Sequence, residues 1–182
     1  MGKVDWARGA FVVLMVSMLA ASGADTTVTN KELGFEITFP KAWGVDGEDI
    51  EKRNEEHLKS FGRIYGTAAR GKSPRIDGTE DCAEIMVRVL DLTKSATLKD
   101  FVISHSGADF KYDDKNETKL GKLSIYKTTE DALGLRMRFV HYLLIGDKYG
   151  YDVVIHSYSK DYDKYAKDID AIVKSFKLID TK

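Results

Sequence analysis

Residues 134–158 read GLRMRFVHYLLIGDKYGYDVVIHSY. Two runs rich in β-branched and aromatic residues, Gly134 to Ile145 and Tyr151 to Tyr158, flank a turn-forming Gly146–Gly150. This is the pattern of an antiparallel hairpin. The face of Leu135, Met137, Phe139, His141 and Leu143 is expected to meet Val153 and Ile155. A one-residue slip would instead set those apolar side chains against Asp152 and His156. That pairing places His141 and His156 on opposite faces. Upstream, Lys122 to Thr129 reads as a third strand, joined to the hairpin around Glu130-Asp131. Downstream, Tyr162, Tyr165, Ala166, Ile169, Ile172, Val173 and Phe176 hold helical spacing over four turns. Asp161 and Asp163 near its start and Lys174 near its end agree with the helix dipole. Lys177 to Ile179 reads as a short edge strand.

Toward the N-terminus, Phe35, Ile37 and Phe39 alternate with Glu36 and Thr38, and Pro40 ends the run. Thr26 to Lys31 reads as a polar lead-in, and Trp43 is expected to cover the edge of the core. Asp46 to Ser60 is dense in charge and reads as a partly helical, exposed connection. Phe61 to Arg70 reads as a strand, Gly71 to Asp81 as a loop, and Ala83, Ile85, Val87 and Val89 as a clear alternating strand. Thr97 followed by Asp100 resembles a capping box, with a helical stripe of Leu98, Phe101, Val102 and His105 closed by Gly107. Meandering strands with helices set apart argue for an α+β class, an antiparallel sheet covered by helices.

The chain has 182 residues, 43% hydrophobic and 31% charged, with a net charge of −1. This fits one ordinary domain. A pI near 6.4 gives no excess of cation for nucleic acid, so none is expected as a partner. Residues 1–24 differ from the rest. Lys3 and Arg8 precede an apolar run from Ala10 to Ala21, and Ser22-Gly23-Ala24 follow. That order predicts a cleaved signal peptide, a secreted or periplasmic single domain over 25–182, and no transmembrane segment in the mature chain. If the leader is retained, it becomes a short N-terminal membrane anchor. Cys82 is the only cysteine, so no internal disulfide forms; a buried thiol is expected.

The segment Gly34-Phe35-Glu36-Ile37-Thr38-Phe39-Pro40-Lys41-Ala42-Trp43 is similar to the strand followed by Pro-x-x-Trp that opens PsbP-like domains. The Tyr-rich hairpin around Gly146–Gly150, the terminal amphipathic helix and the short last strand also resemble that superfamily. It includes an extrinsic photosystem protein, a Ran-binding nuclear import factor and small secreted bacterial proteins. The resemblance implies a central antiparallel sheet between helices, and a role in binding or assembly without a shared catalytic site. It carries over no functional residue.

The chemistry-bearing residues form no recognised constellation. His57, His105, His141 and His156 show no H-x-H or H-E-x-x-H spacing, and no metal site or cofactor is expected. His141 reads as a core histidine with one hydrogen bond, and His105 as a helix-end histidine. Acids flank Cys82 and disfavour a thiolate nucleophile. No G-x-S-x-G elbow or phosphate loop is present. Asp114-Lys115-Asn116 begins like a calcium loop, but Lys119 stands where the glycine belongs. Six of the nine tyrosines lie between Tyr142 and Tyr165, and Arg136 and Arg138 are expected on one strand face. Arg136, Arg138, Tyr142, His156 and Tyr158 are therefore the candidate ligand- or partner-binding residues. The reading is a non-catalytic binding or assembly module whose partner is another protein or a small ligand. The alternative is a small secreted hydrolase using a histidine with a carboxylate.

Overall fold

The structure, a computed structural model, describes residues 24–46, 66–79, 81–92, 97–106, 109–132 and 134–180. The leader-like segment, and the charged connection beyond Asp46, lie outside the described residues. Among those described there are ten strands and two α-helices. The strands are β1 (Thr26–Asn30), β2 (Phe35–Phe39), β3 (Gly44–Asp46), β4 (Gly66–Lys72) and β5 (Glu84–Asp91). Helix α1 (Leu98–Ser106) follows, then β6 (Glu117–Leu120), β7 (Leu123–Ala132), β8 (Met137–Ile145) and β9 (Tyr149–Tyr158). Helix α2 (Tyr162–Ser175) and β10 (Lys177–Leu178) close the fold.

Seven strands form one antiparallel sheet in the order β3-β4-β5-β9-β8-β7-β6, and β1, β2 and β10 form a second. The main core lies between these sheets and α2. It takes Phe35, Ile37 and Phe39 from β2, Ile85 and Val87 from β5, Val153 and Ile155 from β9, and Ile169 and Ile172 from α2. A smaller core lies on the opposite face, where Phe101 and Val102 of α1 pack on Tyr126 and Leu143. The sheet between helices expected from the sequence is the arrangement observed. Trp43 is buried, and its indole N–H donates to Asp168 on α2 at 3.1 Å. Thr97 and Asp100 form the expected reciprocal cap: the Asp100 amide donates to Thr97 Oγ1 at 3.2 Å and the Thr97 amide to Asp100 Oδ2 at 3.0 Å.

Three local expectations are corrected. Thr26–Asn30 is a strand, because pairing with β2 completes that strand's ladder and turns Val28 into the core. The turn between β7 and β8 is not at Glu130-Asp131, which pair with Phe139 and Arg138. It lies at Gly134–Arg136, closed by the Leu135 amide to the Ala132 carbonyl at 2.9 Å, with Arg136 in the left-handed region at φ 54°. Leu135 is consequently 67% exposed rather than part of a core face.

The third correction is the hairpin register. Leu143 faces Asp152, Phe139 faces His156 and His141 faces Val154. This is the slip that apolar matching argues against. It is tolerated because β9 is buried on both sides. Tyr151, Val153 and Ile155 already fill the main core, and the charges of the other face are met by side chains from β4, β5, β8 and α1.

Candidate functional site

The corrected register places Glu84, Met86 and Arg88 of β5 beside His156, Val154 and Asp152 of β9 on one face of the large sheet. Phe139, His141 and Leu143 join them from β8. His141 and His156 thus share a face, contrary to the sequence expectation. Two polar rungs, Glu84–His156 and Arg88–Asp152, are separated by the apolar rung Met86–Val154.

At the first rung, His156 Nε2 lies 2.7 Å from Glu84 Oε2. The same carboxylate accepts from Arg70 Nε at 3.2 Å, and Arg70 Nη2 bonds its other oxygen. Burial pushes the Glu84 acid up, but the hydrogen bonds from His156 and Arg70 outweigh burial and hold it at about 2. The depressed acidity is a stability statement. The charged form is favoured in the fold, so the contribution is full above about 4.5 and is lost as pH falls toward 2. Allowing for screening at the solvent-facing edge, it amounts to about 2 kcal/mol. Glu84→Gln is therefore expected to destabilise by about that much at pH 6 and by almost nothing at pH 2. Urea midpoints of the two proteins at both pH values check this; a gap that does not shrink with acid contradicts it.

At the second rung, Asp152 is completely buried, and three elements converge on it. His141 Nδ1 of β8 is 3.1 Å from both carboxylate oxygens. Against an ionised carboxylate, which only accepts, the tautomer that fits this contact is the one protonated at Nδ1. His105 Nε2, from the last turn of α1, is 3.3 Å from Oδ2. Arg88 Nη1 approaches the same oxygen at 3.9 Å. The His105 and His141 rings meet edge to face with centroids 5.7 Å apart. His141 is thus more than a core histidine with one bond: with His105 and Asp152 it forms a two-imidazole, one-carboxylate cluster. Sequence spacing shows no sign of it, because the three residues sit on different elements and only the register and the docking of α1 unite them.

The five sequence candidates are distributed rather than gathered. His156 and Tyr158 lie on the face just described. Arg138 and Tyr142 belong to the α2 face; Arg138 pairs with Asp131 at 2.9 Å and its guanidinium lies 5.5 Å from the Tyr162 ring centre. Arg136 is exposed in the turn and does not share a strand face with Arg138. Tyr142 lines an open groove with Lys119, Lys127, Asp170 and Lys174. Cys82 is half-buried and unbridged.

Comparison with solved structures finds this fold in a protein from Bacteroides thetaiotaomicron, 10% identical over 84% of this chain and 47% of that one, with a TM-score of 0.51. The chain spans about half the length of that protein. The solution structure of PsbP from the cyanobacterium Synechocystis aligns over 85% of this chain and 92% of that one, at 13% identity and a TM-score of 0.39. No family model and no curated protein matches the chain. At the level of fold the chain is an α+β domain built on antiparallel sheets, an arrangement it shares with the Bacteroides protein.

Proposed function

We propose that this is an exported, non-catalytic binding or assembly domain, which docks a protein or small ligand on the charged face of its seven-stranded sheet. One observation carries the reading. Over the middle of that sheet, where apolar side chains would serve stability better, the chain places Arg70, Glu84, Arg88, Asp152 and three histidines. Compared with well-packed apolar residues of similar volume, buried ion pairs add little stability, because desolvation offsets their attraction. Their concentration on one face is accounted for more simply by recognition. Export rests on the leader-like order of residues 1–24. No helix among the described residues is long and apolar enough to cross a membrane.

A photo-crosslinking residue at Lys72 or Glu130, both exposed beside this face, is expected to give a defined adduct in the native envelope or secreted fraction, on a chain that begins at Asp25. The same probe at exposed Lys167 of α2 is expected to give none. Adducts of equal yield from all three sites, or from none, would sink the docking face; an intact Met1 would sink cleavage.

The hydrolase alternative retains one favourable observation: His141 and His156 each stand within hydrogen-bond reach of a carboxylate. The groove beside Tyr142 is lined by neither.

A further inference from the structure

The geometry points to His105, His141 and Asp152 as a binding site for a divalent transition-metal ion of the zinc type. Their ligand atoms, one nitrogen from each ring and a carboxylate oxygen, all lie within 4.8 Å of one another. Two of the separations, 3.1 and 3.3 Å, are already those of a coordination shell. At metal–ligand distances of about 2.0–2.1 Å, the edge of a tetrahedron is about 3.3 Å. Three protein ligands then leave a fourth position for water or for an atom of a bound partner.

The donor set selects the ion. Two imidazoles with one carboxylate suit zinc, cobalt, nickel or copper; calcium and magnesium require mostly oxygen. The ligands come from α1, β8 and β9, so two packed layers fix the site and no single loop does. Asp152 has no exposure, while the side chains of His105 and His141 are 11% and 16% exposed. The carboxylate is therefore held rigid, and an ion reaches it past the two rings. Binding requires each ring to carry its proton on the other nitrogen: Nε2 for His141 and Nδ1 for His105. The competing charge is Arg88, whose guanidinium is 3.9 Å from the same carboxylate oxygen. It sits on a long, 27% exposed side chain, free to turn toward solvent as the ion enters.

This inference goes beyond the docking role and stands apart from it. A domain that binds zinc here and yields no crosslinked partner refutes docking and leaves the metal site in place. The test uses the mature chain without a polyhistidine tag, stripped by chelator and titrated with Co²⁺ and Zn²⁺. One equivalent of Co²⁺ is expected to give the intense visible absorption of a four-coordinate ion. His105→Ala and His141→Ala are each expected to weaken Zn²⁺ binding by about 100-fold or more, above the 10–100-fold typical of residues that only support a ligand. Circular dichroism checks that the variants are folded; His105, at a helix end and partly exposed, is the safer of the two. Cys82→Ser is expected to change nothing. Absence of the cobalt band overturns the site. So does zinc affinity that survives loss of both histidines, or that falls only with Cys82.

Discussion

Phe35→Ala is expected to remove about 3–5 kcal/mol of stability, the range for deleting a fully buried aromatic ring. Phe35 has no exposed surface. It lies flat against Phe176 with centroids 5.9 Å apart, and edge-on to Tyr151 at 6.2 Å. Its backbone pairs with Asn30 on one side and Leu178 on the other. One ring therefore joins the small sheet, the end of α2 and the centre of the large sheet. Tyr151 and Phe176 are themselves buried and packed against each other, which limits their collapse into the space. Since domains are stable by only about 5–15 kcal/mol, the variant is expected to be marginally folded. Urea unfolding measures the loss; a value below about 1 kcal/mol contradicts this account of the core.

Gly150→Val is expected to be nearly as harmful, at about 3 kcal/mol, by overpacking rather than by a cavity. A Cβ on Gly150 would stand 2.5 and 2.7 Å from two ring atoms of Phe101. Phe101 is the buried anchor of α1, so either its ring or the whole helix must move away from the sheet. The helix also carries His105 to Asp152. Loss of stability is therefore expected together with loss of helix docking. Amide hydrogen exchange is the measurement: protection over 98–106 should fall well before protection in β5 and β9. Uniform loss, or none, contradicts the assigned role of Gly150.

Local pattern made much of this architecture legible. Alternation located β2 and β5, helical spacing located α2, and the Thr97–Asp100 pair located the start of α1. The hairpin register was not legible, and the candidate site went with it. Matching apolar to apolar assumes that one face of a strand is dry and the other wet. β9 breaks that assumption, since Asp152 is as buried as Val153. A carboxylate reads as a solvent-facing residue until its partners are known, and here they arrive from β5, β8 and α1, 11 to 64 residues away in sequence. Arg138 misled for the complementary reason. Its strand position was read correctly, but its charge is satisfied by Asp131 and its plane by Tyr162, so it anchors the end of the sheet.

The small sheet carries a consequence for the order of assembly. Its middle strand, β2, is flanked by β1 from the start of the domain and β10 from its far end, and the Ile179 amide also donates to the Gly34 carbonyl at 2.9 Å. Closing a contact that spans nearly the whole domain costs loop entropy, and such non-local pairings slow folding relative to local ones. Until residues 176–179 are in place, β2 has one unsatisfied edge and Phe35 lacks its stacking partner. Without those residues the small sheet is two-stranded and its side of the main core stays open.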